Sequence, residues 1–326
     1  MVNAAGPFVE RVLRLEDPKP PPRLHLSKGI HLVFDARRLP VREVLAVPAQ
    51  DRRTVFAVRR EAVTYVGTTD RSYAGGRPDR PEIHRDEVAY LLGALHGGLG
   101  LDPPLTEAEV VAAFAGLRPL VAQPGRSPQE ISRRDEIPVG PAGLVTVAGG
   151  KLTGYRPMAR AVLDRCAAVA GLEPAPPPRE EPPLPGGDFA GEVSDLASHI
   201  GRVGGLRPEA ARRLARLYGS EAEQVVALGA EPVVPGGSAL SGEGRFAARI
   251  EAARSLEDVV YRRVRSAWFD PGDREAALEG IADLLAAELG WDPACRDREV
   301  EAVRARLAGE LRFEEAPGTD GEGEAG

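Results

Sequence analysis

Seven prolines between residues 174 and 185 constrain the fold of this 326-residue chain more than any other feature. Proline fixes φ and lacks an amide hydrogen, so such a run can form neither a helix nor an inner strand. It is typical of a semi-rigid, extended spacer. The residues before it read largely as strands and those after it as helices. We therefore predict a linker at residues 173–187 between two differently built regions.

The first region contains short β-branched or aromatic runs about ten residues apart, bounded by Pro, Gly and Asp. This spacing predicts a meandering antiparallel sheet. The predicted strands are Ile30–Phe34, Val44–Val47, Thr54–Val58, Thr64–Thr68 and Val110–Phe114. A helix is predicted at Glu87–Leu95, and Thr106 with Glu109 forms a capping box before the last strand.

The region after the linker has helical periodicity throughout. The predicted helices are Asp195–Val203, Pro208–Tyr218, Ser220–Leu228, Arg245–Val264, Arg274–Leu289 and Arg298–Arg312. Ser220 and Glu223 read as a second capping box. Residues 313–326 are rich in Glu, Gly and Asp, which predicts a disordered acidic tail. The fold class expected is therefore α+β, followed by an all-α C-terminal domain.

Composition excludes several classes of function. The net charge is −7 and the calculated pI is near 5.5, which argues against a nucleic-acid partner. No apolar run approaches the roughly 18 residues that span a bilayer, and no signal pattern opens the chain. The two cysteines, Cys166 and Cys295, are too few for a disulfide framework. We expect a cytoplasmic protein with reduced thiols.

The segment Gly149-Gly150-Lys151-Leu152-Thr153 joins a buried-type strand, Leu144–Ala148, to a helix. Two glycines allow a ligand to approach the backbone, and a helix N-terminus attracts negative charge. Lys151 is one of only three lysines beside 39 arginines. An ammonium group at a helix N-terminus is unfavourable unless an anion lies nearby. The segment indicates an anion or cofactor site, with an ordinary strand-to-helix turn as the alternative.

Three further positions are chemical candidates. Arg118 lies between a glycine and a proline, and Arg133 and Arg134 follow in a polar segment; arginine suits bidentate contact with phosphate or carboxylate. Ordinary solvated or paired charges are the alternative. His31 lies inside a predicted strand, with Ile30 and Leu32 directed to the opposite side, and a structural role is its alternative. Gly67-Thr68-Thr69-Asp70 ends another strand with hydrogen-bonding side chains or forms a simple turn.

One motif is misleading. Gly242-Glu243-Gly244-Arg245-Phe246-Ala247 fits a dinucleotide-binding glycine pattern. No hydrophobic strand precedes it, so we do not interpret it as a nucleotide site.

Taken in order, several segments resemble FAD-dependent glycerol-3-phosphate dehydrogenase. They are Val-Asn-Ala-Ala-Gly-Pro (2–7), Ser-Lys-Gly-Ile-His (27–31), Val-Gly-Thr-Thr-Asp (66–70), Gly-Leu-Arg-Pro-Leu (116–120) and Gly-Gly-Lys-Leu-Thr (149–153). Ser-Leu-Glu-Asp-Val-Val-Tyr-Arg-Arg (255–263) and Leu-Gly-Trp-Asp (289–292) resemble that family's helical C-terminal domain. The resemblance covers residues 1–312.

The resemblance implies oxidation of sn-glycerol 3-phosphate to dihydroxyacetone phosphate with reduction of FAD, and then quinone or oxygen as the electron acceptor. It implies His31 and Arg118 as catalytic residues and Arg133 or Arg134 as the ligand of the substrate phosphate. The residues implied to lie against FAD are Ala4, Ala5, Gly6, Gly149, Gly150, Lys151, Leu152 and Thr153. Quinone-linked members lie on the cytoplasmic face of the membrane, so peripheral membrane contact is an expectation, and a homodimer is left open.

The implied organisation is a remnant of an FAD-binding domain (1–22 and 138–172), a substrate-binding cap (23–137) and a helical domain (188–312). Three departures from the family qualify it. The family's glycine-rich Rossmann segment is absent upstream of Val2, so we expect a fragment or a separately supplied half. Gly154 replaces a threonine, and Arg59-Arg60 replaces a Pro-Trp pair. The alternatives are a non-catalytic remnant that does not hold FAD alone and, less favoured, a flavin amine or amino-acid oxidase.

Overall fold

A computed structural model describes residues 1–17, 24–74, 76–122, 135–174, 176 and 182–315. These residues form a six-stranded antiparallel sheet with one helix on it, a small part built from both ends of the first region, and a set of helices. The predicted fold class is therefore confirmed, whereas the exact domain boundaries stay predictions.

The large sheet contains most of the strands of the first region. Its strands are β2 (Leu24–Asp35), β3 (Leu45–Pro48), β4 (Thr54–Arg60), β5 (Val63–Gly67), β6 (Arg71–Ser72) and β7 (Val110–Val121). The spatial order is β3-β4-β5-β2, with β6 continuing on the β5 side of β2 and β7 on its other side. All pairs are antiparallel, so the predicted meander is confirmed, although β2 and β7 are longer than the predicted runs.

One face of this sheet packs against helix α2 (Arg85–Leu99). The helix buries Val88, Leu91 and Leu95 against Ile30 and Leu32 of β2. It begins with a capping box at His84 and ends at Gly100, whose φ of 59° is left-handed. The predicted capping box of Thr106 and Glu109 is also confirmed, ahead of β7.

The small part is built around two short strand pairs. Strand β1 (Val2–Asn3) pairs in parallel with β9 (Val145–Thr146), and β8 (Asp135–Glu136) pairs with β10 (Ala148–Gly149). The single strand predicted at 144–148 is thus divided between two partners. The buried Asn3 side chain donates to Val9 O at 3.1 Å, which fixes β1 to the start of α1 (Val9–Leu13).

Helix α3 (Tyr155–Ala170) follows this part and is poorly covered. The spacing of five residues in the sequence predicts one apolar side for this helix, namely Met158, Ala161, Val162, Cys166 and Val169. Only Val162 is buried, and Leu163 on another side is 63% exposed. Most of its apolar surface has no partner among the described residues.

The helical region contains α4 (Val193–Gly204), α5 (Pro208–Tyr218), α6 (Ala222–Leu228), α7 (Ser241–Arg249), α8 (Ser266–Phe269), α9 (Arg274–Leu289) and α10 (Pro293–Glu310). A π-helical turn, Asp258–Arg263, lies between α7 and α8. The prediction of one helix over 245–264 is wrong. Asp258 accepts hydrogen bonds from the amides of Arg254 and Ser255, so a new helical segment begins there. The predicted Ser220 capping box is absent as well, since α6 has Glu221 as its N-cap and no side-chain cap.

The start of the predicted disordered tail is also wrong. Phe313 is 5% exposed and packs in the core beneath α2. The carbonyl of Glu314 accepts a hydrogen bond from Arg85 N. Residues 316–326 lie outside the described part of the chain. Among the described helices, none combines the length and apolar character that crossing a membrane requires.

Candidate active site

The face of the sheet turned away from α2 carries the candidate residues. Side chains alternate along a strand, so in β2 the residues Ser27, Gly29 and His31 lie opposite Lys28 and Ile30. His31 pairs across the sheet with Gly67 of β5 and Phe114 of β7, and Ser27 pairs with Arg118. The predicted sidedness of His31 is therefore confirmed.

Two glycines make room on this face. A Cβ atom at Gly67 would overlap the ring of His31. A Cβ atom at Gly29 would lie 2.5 Å from Nη2 of Arg118 and would overlap Oγ1 of Thr68. Neither backbone has a positive φ, so the glycines are required by space and not by conformation.

Arg118 is held by the segment that follows β5. Its Nη2 donates to Thr68 Oγ1 at 3.0 Å and its Nη1 donates to Thr69 O at 3.3 Å. Asp70 lies 3.5 Å away and also accepts from Ser27 Oγ. The hydrogen-bonding strand end noted in the sequence is thus the support of Arg118. Its side chain stays 27% exposed, so a ligand can reach it.

His31 is uncharged at neutral pH. Its pKa is lowered from 6.5 to about 4, chiefly because burial disfavours the charged ring and in addition because the positive charge of Arg118 lies nearby. Its ring stacks on Phe114, with centroids 4.8 Å apart and planes 11° apart. A neutral imidazole next to a fixed guanidinium can accept a proton while the cation stabilises developing negative charge.

Lys28, which follows Ser27 in β2, lies on the other face of the sheet and stabilises the fold. It points to α2 and forms an ion pair with Glu87 at 2.6 Å, with both side chains almost fully buried. Glu87 is also the carboxylate of the α2 capping box. This lysine is structural, although it lies in one of the motifs that carry the resemblance.

The Gly149–Thr153 bend lies near the Arg118 end of the sheet. Ala148 packs with Val121 and Leu24 in one apolar cluster. Gly149 and Gly150 both have positive φ, 77° and 84°, which favours glycine. The bend exposes Lys151 and Leu152, and the ammonium group of Lys151 has no polar partner among the described residues.

The structure brings only some of the predicted site residues together. His31 and Arg118 share one face, and Ala4, Ala5 and Gly6 form the turn between β1 and the first helical residues. Lys151 lies on the exposed bend and forms no hydrogen bond or ion pair with His31. Arg133 and Arg134, predicted to hold the substrate phosphate, lie outside the described residues.

Sequence analysis missed Phe114 and Phe56. Phe114 supports the His31 ring, and Phe56 pairs with Gly67 on the same face and is 47% exposed. Both read as ordinary apolar strand residues. Only the register of the strands could have identified them. Phe56 lies two strands from His31, and its place on the same face follows only when the strand pairing is known.

The bend fits the flavin end of FAD. Left-handed glycines permit close approach, the following helical turn has no side-chain cap, and the Lys151 ammonium group, which has no partner among the described residues, lies beside an exposed Leu152. Strand β1 pairs in parallel with β9, and parallel pairing is found mostly in folds that combine helices with a sheet. An antiparallel sheet, a short parallel strand pair and a helical region agree with the class that the sequence resemblance implies, the FAD-dependent oxidoreductases.

Comparisons with known proteins narrow the class. Residues 1–159 match the family described as FAD dependent oxidoreductase, and residues 180–296 match the C-terminal domain of alpha-glycerophosphate oxidase. The aerobic glycerol-3-phosphate dehydrogenase of Bacillus subtilis is 31% identical over 90% of this chain and 55% of the relative. That of Staphylococcus haemolyticus is 35% identical over 69% of this chain and 42% of the relative.

A solved structure shows the same fold. The glycerol-3-phosphate dehydrogenase from Bacillus halodurans complexed with FAD has a TM-score of 0.77 and 28% identity, covering 95% of this chain and 62% of that one. The chain belongs to the FAD-dependent glycerol-3-phosphate dehydrogenase family. It spans about half the length of the curated relatives that it matches.

Proposed function

We propose that this chain supplies the substrate-binding part of an enzyme that oxidises sn-glycerol 3-phosphate to dihydroxyacetone phosphate with FAD. The observation that carries the proposal is the juxtaposition of a neutral His31 and a fixed Arg118 on one glycine-lined face. The family and its relatives' names support the choice of substrate.

In this proposal His31 accepts the proton of the substrate C2 hydroxyl. Its lowered pKa keeps the imidazole free to accept at neutral pH. Arg118 lies beside the oxygen and stabilises the charge that develops there, since its guanidinium is already held by Thr68 and Thr69. The C2 hydrogen leaves as hydride, so the substrate loses two electrons and two hydrogens in all.

FAD, when bound, supplies the hydride acceptor. Gly149 and Gly150 would let its ring approach the backbone, and Leu152 and Thr153 would line it. Lys151 would stabilise negative charge on the reduced ring. Ala4–Gly6 would lie against the cofactor at the end of β1. Arg133, with Arg134 as the neighbouring alternative, would hold the substrate phosphate.

Quinone is the electron acceptor in the proposal and oxygen is the alternative. With quinone we place the protein at the cytoplasmic face of a membrane as a peripheral protein. A purified chain that holds FAD and loses its flavin absorbance on addition of glycerol 3-phosphate supports the proposal. With FAD held, an unchanged rate of flavin reduction in His31→Ala would contradict the role of His31.

A non-catalytic binding module is the second candidate. The observation that favours it is the uncovered apolar surface of the small part, where Leu152 and Leu172 are 88% and 67% exposed. Exposed apolar surface of this kind is typical of a binding or interaction site. A colourless chain that fails to bind added FAD, yet binds glycerol 3-phosphate, would support the module.

A further inference from the structure

A row of aromatic rings connects His31 to the helical region. Phe114 stacks on His31 at a centroid distance of 4.8 Å, and Trp268 packs on Phe114 at the same distance with the ring planes tilted by 35°. Trp268 belongs to α8, so it comes from a different region of the chain. The ring that supports the imidazole is therefore itself supported by the helical region.

The next residue of α8 forms a second contact route. Phe269 packs on Tyr65 at 5.8 Å, and Tyr65 lies 6.0 Å from the ring of His31. The two neighbours of the imidazole on this face, Phe114 and Tyr65, thus each have a ring from α8 against them. Together these rings pack against the side of the sheet on which His31 lies.

Trp268 is fixed by a carboxylate at the end of α10. Its Nε1 donates to Glu310 Oε2 at 3.3 Å, and the Tyr261 hydroxyl donates to the same oxygen at 3.1 Å. Arg306 Nε donates to the other oxygen at 2.9 Å and stacks on the Tyr261 ring at 3.6 Å. Three donors hold the Glu310 carboxylate, and Glu310 therefore sets the orientation of the indole.

A cavity of about 440 Å³ lies on the other side of these residues. Phe114, Trp268, Tyr261, Arg306 and Glu310 all line it. It is large enough to hold several water molecules. His31 is not among the described residues that line it, so Phe114, with Trp268 against it, separates this cavity from the His31 ring.

We propose that Trp268, oriented by Glu310, is a positioning residue that holds Phe114 against His31 and keeps the imidazole desolvated. The inference rests on the proposed function, because positioning of His31 affects catalysis only if His31 is the base. It assigns the helical region a share in the site that no motif of the sequence indicates. Trp268 acts through Phe114.

The test is an NMR titration of His31 in the full chain. The chain has five histidines, so ring signals labelled with ¹⁵N or ¹³C can be assigned with His31→Gln. In Trp268→Leu the cavity opens toward the imidazole, and we expect the pKa of His31 to rise from about 4 toward its ordinary value of 6.5. The charged and titratable groups facing the ring, Arg118 and Tyr65, and Asp70 beyond Arg118, are unchanged in this variant.

Matched variants separate positioning from loss of structure. Trp268→Phe keeps a ring on Phe114 and should keep the pKa of His31 low. Glu310→Ala should raise it by a smaller amount than Trp268→Leu, because the indole stays but loses its orientation. The only other tryptophan, Trp291, packs in the same helical core, so Trp291→Leu should lower stability and leave His31 unchanged.

An unchanged pKa of His31 in folded Trp268→Leu would overturn the proposal. Should that variant not fold, an unchanged value in Glu310→Ala would overturn it equally. Failure of the proposed function is a separate result. Undiminished flavin reduction in His31→Gln would remove the catalytic role of the imidazole, while the titration would still measure its coupling to Trp268.

Discussion

The two faces of the six-stranded sheet are built from the same strands and differ around β2. We call the side that packs on α2 the closed face, and the side that carries Gly29, Gly67 and Arg118 the open face. Toward α2, Ile30, Leu32 and Phe34 are fully buried, and the ion pair of Lys28 with Glu87 is buried with them. On the other face, glycines replace side chains at 29 and 67, and Arg118 remains partly exposed. The alternation of a strand lets β2 stabilise the fold with one set of residues and present chemistry with the other.

The largest predicted effect is on the closed face. In Lys28→Met, the buried Glu87 loses its partner, and we expect the free energy of unfolding to fall by about 3–5 kcal/mol. Urea unfolding measures it. The double variant Lys28→Met/Glu87→Gln should recover much of the loss, because no uncompensated charge then remains. If the free energy of unfolding fell by less than about 1 kcal/mol in Lys28→Met, the buried pair would not be what stabilises the closed face.

On the open face, a single substitution should change the rate of the reaction. In Gly67→Ala the new Cβ overlaps the His31 ring, which must move. A displacement of about 1 Å can cost on the order of 100-fold in rate, so we expect flavin reduction by glycerol 3-phosphate to fall by about that factor. Gly116→Ala is the matched control, since Gly116 lies on the same face and nothing lies within 4 Å of its Cβ position. Equal effects of the two substitutions would contradict the argument.

Desolvation of His31 should also appear in the pH dependence of stability. The folded pKa of about 4 lies below the ordinary 6.5, so between these values the unfolded chain binds more protons. Stability is therefore lost as the pH falls from 6.5 to 4, by on the order of 3 kcal/mol from this residue. Urea unfolding across this range should show the loss in the native chain and a clearly smaller one in His31→Gln. Parallel curves for the two proteins would contradict it.

Local signals in the sequence were enough to predict most of the fold. Alternation and spacing predicted β2–β5 and α2, and the sidedness of His31 followed from alternation alone. They failed where an element depends on distant partners. The strand at 144–148 is divided because β1 and β8 each pair with part of it. The break between α7 and the π-helical turn depends on Asp258 capping two amides, which an uninterrupted helical pattern conceals.

The candidate site was only partly visible from the sequence for a similar reason. Motifs predicted His31 and Arg118, whereas Gly29, Gly67 and Phe114 acquire their roles from cross-strand register. Lys28 shows that a motif can also suggest a functional role for a residue that is structural. It lies in a motif of the family, yet its contacts with Glu87 and with Glu82 O are structural. A motif therefore marks residues near a site without dividing them between the two faces.

The smallest predicted effect concerns the support of Arg118. Thr68→Val removes one hydrogen bond, from Nη2 to Oγ1 at 3.0 Å, while the bond to Thr69 O and the contact with Asp70 remain. A hydrogen bond to a charged group contributes about 1.5 kcal/mol or more, but the remaining partners limit the loss, so we expect a fivefold to tenfold slower flavin reduction, roughly 1 kcal/mol. Thr68→Ser keeps the hydroxyl and should retain most of the rate. If valine retained the rate and serine were slow, the methyl group of Thr68 would be the important part, and the open face would depend on packing as the closed one does.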